Sequence, residues 1–138
     1  MKLCGIEAGG TKFVCGISDE NGKLSEQISF PTTAPEETLK QCQAFVLMHQ
    51  PDALGIASFG PIDLNVNSEH YGYITTTPKP NWAYVNIRGS LREVYAGPIG
   101  FDTDVNGAAL GESLWGKAQD VDSCLYITIG TGIGGGFV

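Results

Sequence analysis

The sequence predicts a mixed α/β domain, a sheet with helices on its faces, in the order β-β-β-α-β-α-β-α and then a further strand. Three observations carry this prediction. β-prone runs separated by turn residues fill residues 3–30, and strand-like and helix-like segments alternate after them. The third observation is glycine: 19 of the 138 residues, clustered at Gly9-Gly10 and over 130–136. Glycine pairs inside strand-like sequence mark a tight turn or a close backbone approach.

Residues 3–17 hold two β-prone runs around Gly9-Gly10, which is a hairpin pattern. Asp19-Glu20-Asn21-Gly22 is a second turn, leading to a third strand over 23–30. The first helix is expected from Thr33, with Thr33 as N-cap, Pro35 in the first turn and Glu36 closing a Thr-x-x-Glu capping box. Leu39, Cys42 and Val46, with Phe45 beside them, form its apolar stripe. Residues 53–59 read as a buried strand entering Gly60-Pro61, and 62–88 as a polar, aromatic loop with a short strand at 71–76. Ser90-x-x-Glu93 is a second capping box, which points Leu91, Val94 and Tyr95 of the second helix inward. A short strand at 99–102, a third helix from about 105 to 117 and a strand at 124–129 complete the order.

Apolar residues make up 42% and charged residues 17%, ordinary for a soluble globular domain with a core of its own. The formal net charge of −7 argues against a nucleic-acid partner, which calls for a surplus of Lys and Arg. It does not exclude a nucleotide held locally by backbone N–H groups. Apolar stretches are interrupted by glycine or polar residues well short of a membrane span, so no membrane partner is expected. Met1-Lys2-Leu3-Cys4-Gly5 opens directly into a strand pattern without a signal-peptide core, and a cytoplasmic protein is expected. Cys4, Cys15, Cys42 and Cys124 form no C-x-x-C pair, so neither a zinc nor a redox motif is visible. Buried reduced thiols are expected, and a Cys4–Cys15 disulfide across the hairpin stays geometrically open.

Three constellations can carry chemistry. In Glu7-Ala8-Gly9-Gly10-Thr11-Lys12, a glycine turn can direct N–H groups into an anion-binding concavity, while Thr11 and Lys12 add a hydroxyl and a positive charge. Glu7, at its strand end, can hold Mg²⁺ through water. Gly130-Thr131-Gly132-Ile133-Gly134-Gly135-Gly136 follows a strand and is neither a P-loop nor a dinucleotide fingerprint. In Asp102-Thr103-Asp104-Val105-Asn106, a strand ends, carboxylates appear and a helix starts, at the strand terminus where α/β sheets bind ligands. Asp104 there reads as a helix cap, as a carboxylate able to take a proton from a hydroxyl, or as both. His49 and His70 are isolated, and Trp82 reads as a packed loop anchor rather than a stacking platform.

Together these segments resemble the ROK sugar kinases, within the hexokinase–actin–Hsp70-like ATPase superfamily. Residues 5–17 are similar to the family's first phosphate hairpin and 55–63 to its sugar-side loop; 103–112 are similar to its catalytic segment and 126–136 to its second phosphate hairpin. Glu-Ala-Gly-Gly-Thr-Lys, Ser-Phe-Gly-Pro and Thr-Asp-Val-Asn most resemble the bacterial fructokinases. The resemblance implies a ribonuclease H-like mixed sheet of an actin-like ATPase lobe over 1–118, with 119–138 starting a second lobe. It implies phosphorylation of fructose at the 6-hydroxyl by ATP with Mg²⁺, in a homodimer, with mannose and other hexoses also open. Asp104 is then the catalytic base. Gly9, Gly10, Thr11 and Lys12, with Gly130, Thr131, Gly132 and Gly134, hold the ATP phosphates. Gly60, Pro61, Thr103 and Asp104 meet the sugar, and Glu7 holds Mg²⁺ through water. Family members often carry Asp at position 7, where this chain has Glu. Many glucose-specific members carry Asn at position 103, and Thr103 makes glucose the weaker expectation. Members are about twice as long, and the remainder implies an adenine pocket and, in many, a Zn²⁺ loop. An inactive sugar- or nucleotide-binding fragment is therefore the alternative. A sugar-responsive repressor is disfavoured by the negative charge and by a phosphate hairpin that begins at residue 5.

Overall fold

β1 (Leu3–Ala8) is the centre of a five-stranded sheet of order β3-β2-β1-β4-β5. The computed structural model describes residues 1–130 and 132–138. β2 (Lys12–Ser18) and β3 (Leu24–Pro31) extend the sheet antiparallel on one side of β1, and β4 (Ala53–Ser58) and β5 (Ile99–Thr103) extend it parallel on the other. The chain order β1 to β5 with α1 (Pro35–His49), α2 (Ile87–Arg92) and α3 (Asp104–Trp115) is the order that the sequence predicts. The expected strand at 71–76 is replaced by two isolated bridges, Ile62 to Ile74 and Tyr73 to Asn86.

Side chains alternate across a strand, so each strand has one inward set. Cys4, Ile6 and Ala8 of β1, Phe13, Cys15 and Ile17 of β2, and Leu54 and Ile56 of β4 join Leu39, Cys42, Phe45 and Val46 of α1 in one buried cluster. The loop after β4 adds Ile74 and Trp82, and α2 adds Ile87 and Leu91. The opposite face carries glycine. Gly16, Gly5, Gly55 and Gly100 stand side by side in register on four neighbouring strands, leaving a shallow channel across the sheet.

Both expected capping boxes are absent. Pro35 occupies the first helical position of α1, and the residue before a proline is held extended, so Ala34 becomes the N-cap. Thr33 instead donates its hydroxyl to Glu37 (3.0 Å) and its N–H to the Thr38 hydroxyl (3.1 Å), and Glu36 pairs with Lys40. α2 starts earlier than expected, with the Asn86 side chain accepting from the Gly89 N–H at 2.7 Å. Ser90 lies inside that helix, where its hydroxyl and carbonyl accept from the Gln43 amide.

The strand at Leu125–Ile129, β6, pairs antiparallel with β7 (Ile133–Phe137). This two-stranded sheet leans on α3. Its apolar residues Leu125, Ile127, Ile129, Ile133 and Phe137 stay exposed.

All four cysteines are free thiols. Cys4 lies opposite Ile17 and Cys15 opposite Ile6, so the hairpin register separates the two, and Cys15 meets Cys42 instead, sulfur to sulfur at 3.9 Å. Burial pushes the Cys4 thiol up to about 12, and the hydrogen bond with Cys42 together with burial raises the Cys15 thiol as well. The thiolate is the reactive form. A thiol reagent at pH 8 should therefore label only Cys124 quickly in the folded chain and all four cysteines in denaturant, as read by intact mass.

Candidate active site

The site is assembled by strand ends. β1, β4 and β5 run parallel with Ala8, Ser58 and Thr103 level with one another. Their carboxyl ends deliver three segments to one edge: the 9–12 turn, Gly60-Pro61 and Thr103-Asp104. That edge is where α/β sheets bind ligands. The Phe59 N–H donates to Ala8 O at 2.8 Å and locks the first two segments together.

In the 9–12 turn, the Gly9 N–H donates to Lys12 O at 3.0 Å. A Cβ on Gly9 would stand 2.5 Å from that oxygen, so only glycine closes the turn this tightly. Gly10 faces open space, and the Thr11 and Lys12 side chains are exposed. Among the described residues, neither the Gly10 nor the Thr11 N–H finds a protein acceptor. Two free N–H groups on a glycine turn next to an exposed lysine fit a phosphate.

Asp104 opens α3, but the cap is Thr103, whose hydroxyl accepts from the Asn106 N–H at 3.1 Å. The reading of Asp104 as the N-cap is corrected accordingly: a capping residue must be extended, as Thr103 is, while Asp104 is already helical. Asp104 keeps one oxygen on the Val105 N–H at 2.9 Å. Asp102 accepts from the Asn106 side-chain amide N–H at 2.8 Å, and the Asn106 side-chain oxygen Oδ1 accepts from the Phe137 N–H at 3.3 Å. Asn106 thus ties the end of β5 to the second hairpin. Asp102 and Asn106 were not singled out as site residues from the sequence; only the strand register and the approach of β7 bring out their roles.

Glu7, Ala57 and Asp102 stand level on three adjacent strands of the glycine face. They line an open cleft of about 920 Å³ with Asp104, Gly107 and Tyr126. Glu7 and Asp102 are two strand spacings apart, about 10 Å, with only the Ala57 methyl between them. Among the described residues no three His, Cys, Asp or Glu side chains converge on a metal ion. The acidic row fits a hydrated cation better than a closed metal cage.

The second glycine segment meets the first turn of α3. A Cβ on Gly134 would stand 2.9 Å from the Val105 side chain, and one on Gly136 2.0 Å from the Val105 carbonyl oxygen. The Gly130 N–H donates to Gly132 O at 2.9 Å, closing the hairpin end. Thr131 lies outside the described residues. Past the end of β4, the Gly60–Pro61 peptide is cis, and Pro61 O accepts from the Thr75 N–H (2.7 Å) and hydroxyl (3.1 Å). Just beyond, the Ser68 hydroxyl holds the Asp63 carboxyl below the usual carboxylate range, helped by the Asn65 N–H. Trp82 is 0% exposed and offers no face to a ligand, as expected of a loop anchor. His49 packs against Phe45 at a tilt of 51°, and His70 lies edge-on to Tyr73.

A mixed sheet of this order, with glycine hairpins at both ends and carboxylates at a parallel-strand edge, is one lobe of an actin-like ATPase fold, here followed by a two-stranded sheet. The chain belongs to the ROK family, whose model matches residues 3–138. It is 51% identical over 138 residues to a fructokinase of Pediococcus pentosaceus, covering 100% of this chain and 48% of that protein. Its fold is similar to that of a ROK hexokinase from Thermus thermophilus, with a TM-score of 0.83 at 32% identity, covering 100% of this chain and 47% of the other. It is similar as well to a ROK glucokinase from Streptomyces griseus in complex with glucose and AMPPNP, with a TM-score of 0.83 at 26% identity, covering 100% and 44%. The chain spans about half the length of the curated relatives it matches. Among the described residues no helix is long and apolar enough to cross a membrane.

The contact between β7 and α3 gives a stability test. Gly136→Ala should destabilise the chain by about 1–3 kcal/mol, because the new methyl collides with backbone that cannot swing aside. Gly111→Ala, inside α3 with nothing within 4 Å, should stabilise it by up to about 1 kcal/mol through helix propensity. Thermal unfolding of the two variants should therefore shift in opposite directions.

Proposed function

We propose that the intact protein carrying this chain is a fructokinase that transfers the terminal phosphoryl group of ATP to the 6-hydroxyl of fructose. The observation that carries the reading is the level row Ala8, Ser58 and Thr103, which sets the 9–12 turn, Gly60-Pro61 and Asp104 along one edge. The fructokinase relatives near 50% identity support the choice of sugar. In this reading Asp104 takes the hydroxyl proton as the sugar oxygen bonds to phosphorus and the bond to the departing ADP oxygen breaks. The free Gly10 and Thr11 N–H groups and Lys12 bind phosphate oxygens from the first hairpin. Gly130, Thr131, Gly132 and Gly134 do so from the second. Gly60, Pro61 and Thr103 orient the sugar. Mg²⁺ would neutralise phosphate charge, held through water by Glu7 and Asp102. A lobe formed by 1–118, a second lobe starting at 119, a homodimer and a cytoplasmic location belong to the same proposal, as does any zinc site outside this chain.

A second reading concerns residues 1–138 on their own: a lobe that binds sugar or nucleotide without turnover. It is favoured by the coverage of about half of each relative, since phosphoryl transfer of this type needs two lobes closing on both substrates.

In the intact enzyme, Asp104→Asn should lower kcat by roughly 10²–10⁴ with little change in Tm, because Thr103 and not Asp104 caps α3. Near-wild-type turnover in a coupled ADP-release assay would remove Asp104 from the mechanism. kcat/KM should rank fructose above mannose and glucose, since Thr103 offers a short hydroxyl already bonded to the Asn106 N–H, without the amide that an Asn would supply. Glucose as the best substrate would overturn that ranking.

A further inference from the structure

To bind an anion, the 9–12 turn must present N–H groups and not carbonyls. A trans peptide unit carries its C=O and the following N–H on opposite sides, so a fixed carbonyl fixes the next N–H. Gly9-Gly10 is poorly fixed by its own chemistry, because glycine accepts both signs of φ and its peptides reorient at little cost. A reoriented Gly9-Gly10 peptide would turn a carbonyl oxygen toward the phosphate in place of the Gly10 N–H.

One residue outside the turn prevents this. The Thr32 hydroxyl donates to Gly9 O at 2.7 Å, and the Thr32 N–H donates to Thr11 O at 2.9 Å. Both carbonyls are drawn toward the junction of β3 and α1. The Gly10 N–H therefore points the other way, where no described protein acceptor meets it. Thr32 is only 8% exposed and is braced from behind. The indole N–H of Trp82 donates to Thr33 O at 3.0 Å, and the Thr33 N–H donates to the Thr38 hydroxyl at 3.1 Å. The same indole stacks obliquely on Phe13, just past the turn, at 5.4 Å, and meets Phe59, at the end of β4, edge-on at 5.7 Å.

We propose that Thr32 is a positioning residue for the nucleotide phosphates: its hydroxyl, braced by Trp82 through Thr33, holds the Gly9 carbonyl back so that the Gly10 N–H faces the phosphate. This rests on the kinase reading of the site. Thr32 touches no substrate and acts through the turn, so its loss should weaken ATP more than sugar.

Thr32→Val keeps the branched side chain and the main-chain N–H and removes only the hydroxyl. In the intact enzyme it should raise KM for ATP about tenfold, the cost of one unmade buried hydrogen bond, and leave KM for fructose unchanged. Thr32→Ser should restore KM for ATP. Trp82→Phe, which keeps a ring and loses the indole N–H, should shift it the same way by less. Should Thr32→Val fail to fold, Thr32→Cys, a weaker donor of similar size, makes the same comparison. An unchanged KM for ATP overturns the proposal, and so do equal rises in both KM values or a failure of Thr32→Ser to rescue. A wild-type enzyme that transfers no phosphate from ATP overturns the kinase reading together with this one. An active wild type with an indifferent Thr32→Val overturns this one alone.

Discussion

The parallel, in-register pairing of β1 with β4 and of β4 with β5 is the constraint on which the site depends. It sets Ala8, Ser58 and Thr103 level, so three segments far apart in sequence leave the sheet at one edge. The same register sets Glu7, Ala57 and Asp102 level one step earlier, which makes an acidic row with a methyl in its middle. A shift of one residue in either pairing would send the acidic side chains to the core face, because side chains alternate along a strand. The buried residues of β1 and β4 hold the register by filling the other face.

Glycine does three separate jobs in this frame. The row Gly16, Gly5, Gly55 and Gly100 keeps one sheet face shallow and forms the floor of the cleft. Gly107 lets α3 approach that face, since a Cβ there would come within 2.7 Å of the Ala57 methyl. Gly134 and Gly136 let β7 lie on the first turn of α3, beside Asp104. The Asp104 carboxylate, the helix start and the second hairpin are thus one packed unit, with Asn106 hydrogen-bonded to both sides of it.

Helix starts were the least legible feature. Thr33-x-x-Glu36 and Ser90-x-x-Glu93 both match a capping box, yet neither forms one. Pro35 moves the first start, and the Thr33 carbonyl and N–H are taken by Trp82 and Thr38. Asn86 captures the second start, because the loop before α2 turns there to pair Tyr73 with Asn86. A capping box is a local pattern, and tertiary partners outbid it at both places. The Cys4–Cys15 pairing failed for a related reason: it needs a hairpin register two residues away from the one that the 9–12 turn imposes.

By itself the sequence determined the order of strands and helices, the apolar stripe of α1, the two glycine segments and Asp104 beside a helix start. These are written in local patterns, in the alternation of apolar residues and in residue types with special backbone freedom. Only the tertiary structure decided that Thr103 and not Asp104 caps α3, that Asp102 shares a row with Glu7, and that Thr32 holds the carbonyls of the 9–12 turn. Each of these is a contact between chain segments brought together by strand pairing or by the buried Trp82, and a contact between distant segments leaves no periodicity in a single sequence.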